Sequence, residues 1–268
     1  MSFPLTRRHF LTQSVAAVAA AAAMPTFANG ADNKPQWGDL HGRIVYDGPP
    51  PERKKLKVDK DVEFCGKFDI RDESLMVGPQ HGLANVFIYL RSRRAPICPE
   101  LEKSLPKDVL LDNRDAIFQP HCLHLWIARQ QLLIVNSDPI AQNVAIAPLG
   151  DVPANIVLNP KRGENVETRW KFERRQTAPV KISCNYHPWE TGYVLPLDHP
   201  YCDISKFDGS FSIPKMPVGT WQFQAWHERV EFLDTPAWPK GRFTYEIKPG
   251  VNDLGMIKLP PASFRNGP

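Results

Sequence analysis

The sequence has no uninterrupted apolar run of about 18 residues, the length a bilayer-spanning helix needs. A stable membrane span is therefore not expected. It also lacks a charge excess of either sign: 33 Lys and Arg stand against 29 Asp and Glu, a net charge of +4. A balance so close to zero argues against nucleic acid as a partner. The basic run Arg53-Lys54-Lys55-Leu56-Lys57 has no interleaved aromatics and is offset by Asp59, Asp61 and Glu63, so it reads as a solvated face. There is no glycine-rich phosphate loop and no metalloprotease helix motif. Cys184 and His187 are close in sequence, but no distant His with an orienting third group completes a thiol-protease arrangement. Helical periodicity longer than about two turns is absent.

What the chain has in excess is proline, 27 of 268 residues, roughly twice average usage. Prolines break long helices and favour short strands joined by turns. Strand signals recur at fairly even spacing: 40–46, 74–77, 84–90, 109–111, 123–128, 132–135, 144–146, 156–158, 167–172, 180–184, 193–195, 210–213, 220–225, 242–247 and 254–259. The class is all-β, with more than one sandwich.

Residues 6–12, Thr-Arg-Arg-His-Phe-Leu-Thr, precede an Ala-rich run from Val15 to Ala23, then Pro25 and Thr26-Phe27-Ala28. This resembles a twin-arginine export signal over 1–28, with a polar linker over 29–37. The resemblance implies a folded cargo delivered to the periplasm or otherwise exported. Without Arg7 and Arg8 the mature chain carries 31 basic against 29 acidic residues, or +2. An oxidising compartment permits disulfides. Of Cys65, Cys98, Cys122, Cys184 and Cys202, the four other than Cys184 allow two bridges in three pairings.

Two resemblances divide the remainder. Gly42-Arg43-Ile44-Val45 with Gly48 and Pro50, followed by Ala84-Asn85-Val86-Phe87-Ile88, resembles the opening of a carboxypeptidase regulatory-like, prealbumin-type sandwich. Asp208-Gly209-Ser210-Phe211-Ser212-Ile213 and Pro217-Val218-Gly219-Thr220-Trp221-Gln222-Phe223 resemble its closing half. The two halves are over a hundred residues apart, which implies a discontinuous domain of 38–104 and 198–262 with a second domain, 105–197, inserted.

The insert resembles the cupredoxins, closest to the amicyanin and plastocyanin type, and a cupredoxin-like Greek-key sandwich is the fold this implies. The segments that carry the likeness are 132–146, Leu-Leu-Ile-Val-Asn-Ser-Asp-Pro-Ile-Ala-Gln-Asn-Val-Ala-Ile, and 182–195, Ile-Ser-Cys-Asn-Tyr-His-Pro-Trp-Glu-Thr-Gly-Tyr-Val-Leu. In that family the first segment carries a His before Asn-Val, and the second carries Cys-x-x-His, then Pro, an aromatic and Met. Thiolate and imidazole bind copper in both redox states, with a weak thioether completing the site. Here Cys184 and His187 keep the spacing, and Asn143, Pro188 and Gly192 match, but Gln142 replaces the first His and Glu190 replaces Met. Gln142 is a poorer ligand than imidazole. The hard anionic oxygen of Glu190 favours Cu(II) over Cu(I), or zinc.

Three readings follow for Gln142, Cys184, His187 and Glu190: a copper site that transfers electrons to a periplasmic redox partner, an altered copper or zinc site without fast transfer, and a metal-free fold with Cys184 a buried thiol. The protein is expected to be non-enzymatic. A metal-free interaction or carbohydrate-binding module is the alternative, and a hydrolytic zinc enzyme would need activity dependent on Glu190. His121 or His124 could replace the absent imidazole, or serve as structural histidines. Asp198 with His199 reads as a turn contact between prolines. Trp221 and Phe223 share a sheet face and suit either a core or a stacking platform. Trp226-His227-Glu228 lacks a placed third ligand.

Overall fold

The computed structural model describes residues 36–264. The expected export signal at 1–28 and most of the expected 29–37 linker lie outside the described residues. The linker ends earlier than expected, since the first strand starts at Trp37.

The described residues are almost entirely β, as composition requires. The strands in chain order are β1 (Trp37–Tyr46), β2 (Phe87–Leu90), β3 (Asp108–Arg114), β4 (Ile117–Gln119), β5 (Cys122–Trp126) and β6 (Gln131–Asn136). They continue with β7 (Gln142–Ile146), β8 (Ala154–Leu158), β9 (Glu167–Trp170), β10 (Val180–Ser183), β11 (Thr191–Leu197) and β12 (Cys202–Ile204). The last are β13 (Ser210–Pro217), β14 (Gly219–His227), β15 (Glu231–Phe232), β16 (Arg242–Ile247) and β17 (Gly250–Leu259). Two short helices interrupt them, α1 (Val62–Cys65) and α2 (Pro99–Ser104). The strand expected at 74–77 does not form. That segment makes only an isolated bridge, Val77 to Leu83, because no neighbouring strand offers it a ladder.

Four sheets result. β13-β1-β17 faces a sheet ordered β12-β2-β14-β15, with β16 also on β14. Their inner faces bury Leu40, Ile44, Ile88, Leu90, Phe211, Ile213, Phe223 and Ile247. β5-β11-β10-β7-β8 faces β4-β3-β6-β9. Between those lie Leu111, Leu123, Leu125, Leu132, Ile134, Val144, Ile146, Ile182 and Val194. Strands from 108–197 build the second pair of sheets, and strands before and after build the first. The described residues pack as one compact unit.

The two five-stranded sheets meet each other over part of their outer faces. In β2, Ile88 and Leu90 enter the first core, while Phe87 and Tyr89 point the other way and meet Cys122, Leu195, Leu197 and Trp226. A strand with two dry faces must be apolar at every position, and all four residues of β2 are. Glycine is obligatory at two close approaches. Gly209 has φ 84° and its carbonyl accepts the Ile44 N–H, and a Cβ at Gly192 would come 2.7 Å from the His121 carbonyl oxygen across the β11–β5 pair.

The expected disulfides are absent: all five cysteines are free and buried. Folding disperses them. Cys98 lies in the first core, Cys184 in the second, Cys65 at the end of α1 in a fourth cluster, and Cys122 and Cys202 on different sheets of the third cluster. Cys65, Cys98, Cys122 and Cys202 serve as small apolar side chains.

Candidate metal centre

Gln142 opens β7, the strand beside β10 in its sheet. Cys184 directly follows β10. His187 and Glu190 lie on the loop to β11, whose ends are fixed by the Ser183–Thr191 pair. Within the loop the Cys184 N–H donates to the Glu190 carbonyl at 3.1 Å and the Glu190 N–H to the His187 carbonyl at 2.9 Å. The turn is thus tight enough to return Glu190 over Cys184. Asn143 points away from Gln142, as strand alternation demands. Its Oδ1 accepts the Asn185 N–H at 2.9 Å and so fixes the loop to β7.

These elements bring together all four side chains singled out from the sequence. Cys184 Sγ lies 3.6 Å from His187 Nδ1 and 3.6 Å from Gln142 Oε1. His187 Nδ1 lies 2.9 Å from Gln142 Oε1 and 3.2 Å from Glu190 Oε1. The donor atoms of Cys184, His187 and Glu190 all fall within 4.8 Å of one another. All four side chains are buried. Glu190 Oε2 is buried with no partner.

The electrostatics of the cluster are strained by burial. Burial disfavours a charged His187, but hydrogen bonds with Cys184, Glu190 and Asp61 outweigh it and push the imidazole up to about 10. Burial raises the Glu190 carboxyl, against the lowering effect of His187 and Gln142. Burial likewise raises Asp138, which accepts from Gln142 Nε2 at 3.0 Å and from the N–H groups of Asp115 and Ala116.

The donor set suits a small four-coordinate cation. Metal–sulfur bonds near 2.3 Å and metal–nitrogen or –oxygen bonds near 2.1 Å at tetrahedral angles put neighbouring donors about 3.4–3.6 Å apart. The two contacts of Cys184 Sγ match this, and the nitrogen–oxygen contacts are slightly shorter.

Sequence reasoning missed Asp61, which lies 2.9 Å from His187 Nε2, as well as Asp138 and Trp189. Asp61 and His187 are 126 residues apart, and no local pattern links them. Neither candidate replacement imidazole is here. His121 Nε2 is 2.6 Å from Glu228 Oε1 and its Nδ1 is 3.5 Å from Glu73 Oε2. His124 is held down to about 4 by burial. His199 Nε2 donates to the Leu90 carbonyl and its Nδ1 accepts the Tyr201 N–H, a structural role. Phe223 is fully buried and stacks on Phe243 at 5.1 Å, with Trp221 packed against the same core rather than forming a platform.

No family model matches the chain. Among curated proteins, a 49-residue stretch is 41% identical to the mitogen-activated protein kinase HOG1 of Candida albicans, covering 18% of this chain. The match spans 13% of the kinase's length. Among solved structures, part of the chain is similar to cupredoxins. A reduced Cu(I) form of an amicyanin mutant is 13% identical with a TM-score of 0.29, over 41% of this chain and 97% of that one. Amicyanin from Paracoccus versutus is 14% identical with a TM-score of 0.28, over 41% and 96%. A purple cupredoxin from Nitrosopumilus maritimus is 18% identical with a TM-score of 0.26, over 34% and 99%. Among the described residues, no helix is long and apolar enough to cross a membrane.

Proposed function

We propose that the chain is an exported, non-enzymatic metal protein that binds one copper ion through Cys184, His187, Gln142 and Glu190. The observation that carries this reading is the convergence of a thiol, an imidazole nitrogen and a carboxylate oxygen within 4.8 Å, all buried. Burying such groups costs free energy unless they are paired or coordinate a metal, and Glu190 Oε2 lacks a partner. When bound, copper supplies one-electron exchange between Cu(II) and Cu(I).

The residues then tune the ion. Cys184 as thiolate and His187 through Nδ1 supply the strong bonds. Glu190 adds a second negative charge and a hard oxygen, which stabilises Cu(II) and lowers the potential. Gln142 is neutral and contributes a weak carbonyl oxygen. Its amide also ties Glu190 to Asp138 and holds the carboxylate in place. A second reading is favoured by the two oxygens in the donor set: zinc, held without electron transfer. The division of strands among the sheets supports 105–197 as a cupredoxin-like domain inserted into a prealbumin-type sandwich of 38–104 and 198–262. A periplasmic redox protein is the partner that the copper reading implies.

Elemental analysis with a visible spectrum tests this on mature protein taken from the exported pool. About one copper per chain with a thiolate charge-transfer band, both lost in Cys184→Ala, is the expected result. Zinc alone would favour the second reading. No metal, even after incubation with copper, would overturn both and leave a binding or structural module.

A further inference from the structure

The two ring nitrogens of His187 face different parts of the molecule. Nδ1 turns inward to Cys184, Gln142 and Glu190. Nε2 turns outward and meets Asp61 Oδ2 at 2.9 Å. Asp61 belongs to the chain between β1 and β2, outside the strands that carry the donors.

That approach is built, not incidental. Asp61 precedes α1 in the left-handed region, at φ 42° and ψ 43°, where aspartate is one of the few side chains tolerated besides glycine. Its carbonyl accepts the N–H groups of Phe64 and Cys65 at 2.9 Å each. Cys65 and Ile70 then pack with Ala116, and Phe64, Ile140 and Trp189 border the same cluster. Trp189 donates its indole N–H to the Ala116 carbonyl at 3.0 Å and lies 5.2 Å from the His187 ring, centroid to centroid. The segment around α1 therefore covers the loop that holds His187 and Glu190. The His187 side chain is fully buried while Asp61 is half-exposed, so the imidazole reaches the surface through this carboxylate.

We infer that Asp61 is a positioning residue of the metal centre: it accepts the Nε2–H of His187, which leaves the Nδ1 lone pair directed at the ion, and the segment that carries it closes the site. This rests on the metal reading above. A carboxylate on the far nitrogen fixes the ring's tautomer and orientation and makes Nδ1 a better donor. Removing such a partner typically weakens binding about 10- to 100-fold. The centre would then draw on both sandwiches, with donors from one and their orienting group from the other.

Full-length mature protein is titrated with zinc and with copper(II) against a chromophoric chelator. Asp61→Ala is expected to bind about 10- to 100-fold more weakly than the unaltered protein. Asp61→Asn keeps an acceptor oxygen and should lose less, which also guards against a variant that fails to fold. In zinc-loaded protein, nitrogen-15 correlation spectra should show His187 protonated at Nε2, and in Asp61→Ala a mixture of ring states. Unfolding midpoints of the metal-free forms report any purely structural effect. Wild-type binding with unchanged affinity and ring state in Asp61→Ala overturns the role of Asp61 and leaves the metal reading standing. A wild-type chain that takes up neither ion overturns the metal reading and this inference with it. An affinity loss accounted for by metal-free unfolding would also overturn it.

Discussion

His121 is clamped between two carboxylates contributed by distant segments, and its effect on stability should depend on pH with a definite sign. The ring lies just before β5, Glu228 just after β14, and Glu73 between α1 and β2. Side-chain exposures are 8% for His121, 7% for Glu228 and 22% for Glu73. Burial by itself would lower the imidazole, but the pairing with Glu228 and then Glu73 outweighs it and raises it from 6.5 to about 9. That rise corresponds to about 3 kcal/mol of stability. The folded protein holds this proton more tightly than the unfolded chain does. The contribution is therefore complete below pH 6.5 and is lost as pH climbs through about 9. Urea unfolding of the wild type and His121→Gln at pH 6 and at pH 9.5 measures it. The wild type should lead by about 3 kcal/mol at pH 6, which in thermal unfolding is about 6–12 °C for a chain of this size, and the lead should vanish at pH 9.5. His187 is also raised, to about 10, but is common to both chains and cancels in the difference. A gap that is equal at the two pH values would refute the reasoning, because folding would then leave the hold on the His121 proton unchanged. So would a wild type that gains on the variant between pH 6.5 and 9.

Three other outcomes are expected. His124, His199 and His227 are held neutral chiefly by burial, down to about 4, 4 and 3. The unfolded chain takes up these protons first, so stability should fall as pH drops from 6.5 toward 4, at a slope approaching about 4 kcal/mol per pH unit, and an acid titration followed by circular dichroism will read it. Phe223→Ala removes a fully buried ring stacked on Phe243 and should cost about 3–5 kcal/mol in denaturant unfolding without altering the metal content. The double variant Gln142→His and Glu190→Met, loaded with copper, should gain the intense visible band of a copper–thiolate site. A variant that stays colourless with copper would count against the cupredoxin-like reading of the insert.

The sequence by itself determined the all-β class, because high proline and period-two alternation leave no other way to bury the apolar residues. It also placed Cys184, His187 and Glu190 together, since a strand end and its following loop are fixed by short-range spacing, whereas Gln142 on β7 joins them through the β7–β10 pairing. The strand at 74–77 failed for the complementary reason. A strand exists only if a neighbour pairs with it, and alternation within one segment says nothing about neighbours. The free cysteines have the same cause: composition permits bridges, but bridging depends on where distant segments place each Cβ. Tertiary structure alone decided that His121 pairs with Glu228 rather than joining the Cys184–His187–Glu190 cluster, and that Asp61 meets His187. Both contacts join segments more than a hundred residues apart, set by how the two five-stranded sheets and the α1 segment pack, and no local pattern in the chain encodes them.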